Sequence, residues 1–218
     1  MKLSGLLVLA ASAGASAKAV FAHFMVGNVA TWNAAKWESD IALAQSAHID
    51  AFALNIAANE PHTTESLDLA FSAAASRGFK LFFSFDYAGN GPFDQSDVIS
   101  YINKYVDASY LQYLNDTGTP LPYMMPVSPW FYTNLPGYNK NWLWRGDDLW
   151  YDRWEEAIWV EPEFIEIISW NDYGESHYIG PLHDDGFDAF SVGKGPFNFA
   201  EDMPHDGWRQ QLPFVIDT

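Results

Sequence analysis

The chain has no cysteine, so no disulfide supports whatever fold it adopts. Basic residues are scarce: 11 Lys and Arg stand against 28 Asp and Glu, for a formal net charge of −17. Phosphate contacts need clustered Lys and Arg, so this balance excludes nucleic acid and other acidic polymers as partners. Long apolar runs are missing too. Leu6 to Ala11 is too short to span a bilayer, and no later segment reaches the roughly 18 apolar residues of a membrane helix, so no membrane partner is expected. There is no Gly-rich phosphate loop, no serine nucleophile elbow and no paired Cys/His site. His183-Asp184-Asp185 and the stretch from Asp202 to Asp206 have the composition of metal sites without ligand spacing, so both read as solvated loop and no metal is expected.

The start of the chain is informative. Lys2, the apolar Leu6-Leu7-Val8-Leu9-Ala10-Ala11 and the small residues Ala15-Ser16-Ala17 read as a secretory signal peptide over residues 1–17. The mature product is then secreted and soluble, and Asn115-Asp116-Thr117 is its glycosylation sequon. Aromatic residues make up 17% of the chain and include ten Trp, most of them clustered between Trp130 and Trp170 among Asn, Gly and Pro. Any single Trp is best read as core, but a cluster set in loop residues suits a flat, partly apolar ligand such as a sugar.

The pattern along the chain alternates strand and helix. Ala19 to Val26, Ile49 to Ile56 and Lys80 to Phe85 read as strands; Asn33 to Ala47 and Thr64 to Gly78 read as the helices between them. That order predicts βαβ units and a parallel sheet. His23, Asn28, Asn55 and Asp86 then fall on one polar rim at the C-terminal strand ends, where such folds place their ligands. A long helical stretch follows from Gln95 to about Leu114, its apolar stripe re-phased at Val106-Asp107-Ala108. Next come a strand from Tyr123 to Val127, a polar loop, a helix from about Asp147 to Trp159, and a strand from Phe164 to Trp170. Five strands result, whereas a closed (β/α)₈ barrel needs eight.

The last strand opens into Asn171-Asp172-Tyr173-Gly174-Glu175-Ser176-His177. In extended chain, Asp172 and Glu175 would lie roughly 10 Å apart on opposite faces. A turn through Gly174 with φ > 0 would bring both carboxylates into one cleft. Two carboxyl groups among Trp and Tyr are what glycoside hydrolysis requires. The alternative is a strand end with two solvated acids.

Phe21-Ala22-His23-Phe24-Met25-Val26-Gly27-Asn28, Asp50 to Asn55, Phe85-Asp86-Tyr87, Met125 to Phe131 and Trp170 to Pro181 together resemble the fungal α-1,3-glucanases, or mutanases, of glycoside hydrolase family 71. The resemblance runs from Val20 to Pro181. It implies a (β/α)₈ TIM-barrel-like α/β fold and internal cleavage of fungal wall α-1,3-glucan by a monomer with no cofactor. Asp172 and Glu175 then become the catalytic pair of a mechanism with inversion. Glu175 is taken as acid and Asp172 as base, an order the residues themselves do not fix. Asp86 matches a further acid of the cleft, whose alternative is a strand-end acid capping the following loop. His23, Asn55, Trp130, Trp170, Tyr173 and His177 are the expected sugar contacts, although His23 and Asn55 suit satisfied buried positions equally well. The resemblance also shows a gap. Strands four to six are absent between Tyr105 and Val106. The expected division is a partial barrel over residues 18–182 and a loop with a truncated last helix over 183–218. A non-catalytic remnant that at most binds glucan is the competing reading.

Overall fold

The computed structural model of the chain describes residues 19–105, 123–144 and 146–217. The signal peptide, the sequon and the re-phased stretch after Tyr105 lie outside them. The first part follows strict alternation: β1 (Ala19–Met25), α1 (Ala34–Ser46), β2 (Ala51–Ala57), α2 (Thr63–Arg77), β3 (Lys80–Asp86) and α3 (Gln95–Tyr105). After the undescribed stretch come β4 (Met124–Val127), β5 (Tyr132–Leu135), β6 (Lys140–Leu143), α4 (Leu149–Val160), β7 (Phe164–Ile167), α5 (Asp188–Val192) and α6 (Asp206–Ile216).

Local signals account for several ends. Asn33 caps α1, its side chain accepting from the Lys36 backbone N–H at 3.1 Å. Gly78 closes α2 in the left-handed region (φ 64°), where a side chain would be strained. At its other end α2 starts at Thr63, one residue before the expected Thr64, after a left-handed His62 without a side-chain cap. The polar loop expected after β4 is instead the antiparallel hairpin β5–β6, with Tyr132 opposite Leu143 and Leu135 opposite Lys140.

Five strands form one parallel sheet in the order β3-β2-β1-β7-β4. Phe21 lies opposite Ala51 on one side and Glu166 on the other, and Lys80 lies opposite Ala51. This register sorts the side chains into two layers. Val20, Ala22 and Phe24 of β1, Phe52, Leu54 and Ile56 of β2, and Ile165 and Ile167 of β7 are buried under the helices. Phe24 stacks on Trp37 of α1 with centroids 4.7 Å apart. The opposite layer is half-buried: Phe21 meets Phe82 and Phe164 at 4.9 and 5.6 Å, with His23 and Glu166 above them. In this register Asn55, Ser84 and Asp86 belong to the same inner layer, nearer its C-terminal end. Among the described residues no helix is long and apolar enough to cross a membrane.

Candidate active site

Beyond β7 the backbone of Trp170 donates to the carbonyl of His23 at 2.7 Å, which ties the segment to β1. Asn171 reinforces the tie. Its buried amide accepts from Met25 N–H at 2.8 Å and donates to Met25 carbonyl at 3.1 Å, while Asn28 donates to the Asn171 carbonyl. Past this clamp the chain makes a 3₁₀ turn over Tyr173–Glu175. Residues three apart eclipse in a 3₁₀ turn, so Asp172 and Glu175 come to one side. The Asp172 carboxylate accepts from the Glu175 backbone N–H at 3.1 Å. Gly174 does not supply the positive φ expected of it. The left-handed residue is Ser176 (φ 54°), and Gly174 supplies space, since a Cβ there would lie 3.2 Å from both Ala189 and Leu135.

Electrostatics separate the two acids. Burial pushes the Asp172 carboxyl up to about 7, and the neighbouring Glu175 adds to the effect against the opposing charges of Lys140 and His23. Glu175 instead accepts a charge-assisted hydrogen bond from Lys140 at the start of β6. Burial disfavours the charge on Lys140, but its bond and attraction to Glu175 prevail and hold it above its ordinary value. His177 completes the group with its Nδ1 3.6 Å from Glu175. Burial draws the His177 imidazole down to about 4, so it is neutral at neutral pH. Beneath the pair, His23 Nδ1 and Glu166 lie 2.9 Å apart.

The other expected contacts divide sharply. Trp170 is fully buried on the helix side of the sheet, where its indole N–H donates to the buried Asp40 at 2.8 Å. Tyr173 is buried as well, its hydroxyl donating to the Pro181 carbonyl at 2.8 Å. Neither offers a face to a sugar. The strand ends at Ile167, and the turn that follows sends the Trp170 ring away from the carboxylates. Trp130 points away from His177, and it is its neighbour Phe131, stacked on Trp142 at 3.9 Å, that meets the His177 ring edge-on at 4.8 Å. Asn55 lies on the inner layer, and its amide makes no hydrogen bond among the described residues. Asp86 does cap its loop: one carboxylate oxygen accepts from Ala88 N–H at 2.8 Å and Gly89 N–H at 3.0 Å, while the other is unengaged.

Sequence reasoning missed Lys140, Glu166, Asn171 and Glu60. Burial, partly offset by a hydrogen bond from Ala57 and supplemented by Asp86, raises Glu60 above the usual carboxylate range near the same rim. Only Glu166 carried a legible signal, an acid alternating with apolar residues on a strand. His183 and Asp185 also depart from the solvated loop expected of them. His183 bonds the buried Asp40 at 2.9 Å, and Asp185 accepts from Thr31 at 2.6 Å and Lys36 at 2.5 Å, so both pin their loop to α1 and the segment before it. Among the described residues, no group of three His, Asp or Glu could hold a metal ion.

Known proteins resemble the chain in fold and in sequence. A GH99 endo-alpha-mannosidase from Bacteroides thetaiotaomicron superposes with a TM-score of 0.64 at 12% identity, over 92% of this chain and 96% of that one. A second structure of that mannosidase gives 0.60 at 14% identity, over 88% and 80%. These establish the α/β fold with its mostly parallel sheet. A mutanase of Penicillium rubens is 32% identical over 91% of this chain, and a glucan endo-1,3-alpha-glucosidase of Schizosaccharomyces pombe is 29% identical over the same share. The chain spans 60% and 65% of those two relatives. The first alignment runs over 276 positions, more than the 218 residues available, so the relative holds residues within the aligned span that have no counterpart here. The Glycosyl hydrolase family 71 model matches residues 16–111 and again 106–218, its two pieces meeting where the apolar stripe re-phases. With almost the whole length accounted for by that model, the chain belongs to glycosyl hydrolase family 71.

Proposed function

We propose that the chain is a secreted, monomeric α-1,3-glucan hydrolase of fungal walls that cleaves internally, with inversion and without a cofactor. The observation that carries this is the 3₁₀ turn presenting Asp172 and Glu175 on one side, with burial holding a proton on Asp172 near neutral pH. One carboxyl protonates the glycosidic oxygen and the other activates water on the opposite face of the sugar. The geometry favours Asp172 as the acid, since Lys140 already neutralises Glu175; this reverses the order taken from the sequence. Phe131 and Trp142 form the aromatic wall beside His177.

The decisive substrate is an α-linked oligosaccharyl fluoride, whose leaving group needs no protonation. Asp172→Asn is expected to retain turnover of the fluoride while losing polymer hydrolysis, and Glu175→Gln to lose both. The opposite pattern restores Glu175 as acid.

A second reading rests on the sheet. The order β3-β2-β1-β7-β4 is that of strands 3-2-1-8-7 in an eight-stranded barrel, with β3 and β4 at the edges of the described sheet. On this reading strands four to six are missing, and the chain is a remnant that binds glucan without cutting it. Capture on insoluble α-1,3-glucan without release of reducing sugar supports the remnant; release that disappears in Asp172→Asn supports the hydrolase.

A further inference from the structure

Trp130 and Phe131 end the link from β4 to β5, which opens at Tyr132, and alternate side chains of an extended segment point to opposite sides. Phe131 turns to His177 and the carboxylate pair. Trp130 and Tyr132 turn the other way, into a separate cavity of about 510 Å³. Phe199, Met203, His205 and Trp208 complete most of its wall. Ser176, next to Glu175, also lines it, so the cavity and the carboxylate site share a wall.

The rings are arranged as separate faces. Trp130 and Trp208 are inclined at 52° with centroids 6.4 Å apart, and Tyr132 meets Phe199 edge-on at 5.0 Å. His205 lies flat on Tyr178 at 3.9 Å, and its Nδ1 is bonded to the Tyr178 carbonyl at 2.8 Å. A carbonyl partner requires the proton on Nδ1, which leaves Nε2 as an acceptor. Burial lowers the His205 imidazole below its ordinary value, in keeping with that neutral form. None of the lining residues is Lys or Arg, and Asp202 stands exposed among them, so an anionic ligand is disfavoured. The volume lies within the roughly 300–1,000 Å³ of small-ligand sites. Aromatic faces with a few neutral hydrogen-bonding groups suit a hexose, which has apolar C–H faces and a hydroxyl rim.

We propose that this cavity is a second glucan site, holding glucosyl units of the polymer outside the carboxylate cleft and keeping the protein on the insoluble chain. The proposal rests on the glucan reading above. Its position fits: Trp130 follows the C-terminal end of β4 and His205 precedes α6, so the cavity opens on the strand-end face that carries the carboxylates.

The test uses the full chain, insoluble α-1,3-glucan and a short soluble α-1,3-oligosaccharide. Trp130→Ala removes one face, and Met203→Trp fills the cavity from its exposed rim (Met203 is 60% exposed), so a failure to fold in one is covered by the other. Each is expected to weaken binding to the polymer about tenfold, the scale of losing an aromatic anchor. The ratio of polymer to oligosaccharide hydrolysis should fall by a similar factor. Polymer affinity within twofold of the parent in both variants overturns the second site. Equal losses on polymer and oligosaccharide overturn it too, because they place Trp130 in the cleft. A parent chain that neither binds nor cuts α-1,3-glucan overturns the glucan reading itself along with this one.

Discussion

Asp172→Asn should stabilise the fold, and by more at high pH than at low pH. An ordinary Asp carboxyl titrates near 3.8, whereas Asp172 is held near 7, chiefly by burial. Between those values the unfolded chain has released this proton and the folded chain still holds it. The stability the raised group contributes is complete below about pH 4, falls as pH rises toward 7 and is gone above it. At 1.36 kcal/mol per tenfold, three decades set a ceiling of ~4 kcal/mol. Asp172 is partly exposed and faces the opposing charge of Lys140, which brings the expected effect to ~1–2 kcal/mol. Asn removes the charge and keeps an oxygen to accept from the Glu175 N–H, so the 3₁₀ turn survives. Urea unfolding at pH 8 should show the variant more stable by that amount, about 3–6 °C in Tm for a chain of this size. At pH 4 the difference should shrink to within ~0.5 kcal/mol, since both side chains are then neutral. An equal difference at both pH values, or a loss of stability at pH 8, refutes burial as the cause. Enhanced stability together with lost hydrolysis is what strain held at a catalytic site predicts.

Asp40→Ala should be costly, because it strips the acceptor from the buried Trp170 indole N–H and from His183; a loss of about 3 kcal/mol in urea unfolding is expected, with Asp40→Asn intermediate. Lys140→Met removes a charge that pulls Asp172 down, so the limb of the pH–rate profile set by Asp172 should move to higher pH; an unmoved profile would place Lys140 outside the working site. Asp86→Asn keeps the acceptor that caps Ala88 and Gly89 and should leave Tm unchanged, while glucan hydrolysis drops more than about tenfold if the unengaged oxygen serves substrate. Retained activity in Asp86→Asn, with a Tm loss confined to Asp86→Ala, assigns Asp86 to its loop alone.

Much of the fold was legible because its signals are local. Asn33 before an apolar period, Gly78 after one and short apolar, β-branched or aromatic runs mark α1, α2 and β1 to β3 without reference to the rest of the chain. The hairpin was not legible. Tyr132–Leu135 and Lys140–Leu143 are four residues each, hold one Asn apiece and are separated by Pro136-Gly137-Tyr138-Asn139, and what orders them is tertiary: Thr133 donates to the Gly174 carbonyl and Gly137 N–H to the Gly193 carbonyl. Lys140 was therefore invisible as a partner of Glu175, 35 positions away. The aromatic cluster misled in the same manner. Composition points to rings near a ligand but not to the direction each ring takes, and one residue of parity separates Phe131 at His177 from Trp130 in the second cavity.

The groups that act on the carboxylate pair come from a restricted part of the fold. Lys140 belongs to the hairpin, His23 to β1, Glu166 to β7, and Ser169 and His177 to the segment carrying the pair itself. Asp172 N–H donates to the Ser169 hydroxyl at 2.9 Å, and that hydroxyl donates to the His177 carbonyl at 3.1 Å, so the turn is braced from within. In an eight-stranded barrel, strands four to six stand across the axis from the eighth, the position that the shortened-barrel reading proposed above gives β7. On that reading the shortened barrel keeps its reacting groups in place and loses the opposite wall of the cleft. The deficit should then fall on substrate affinity more than on the chemical step: a raised KM with a measurable kcat, partly offset on insoluble polymer by the cavity behind Trp130. A chain that binds polymer well and has no measurable kcat would instead locate the damage in the carboxylate turn.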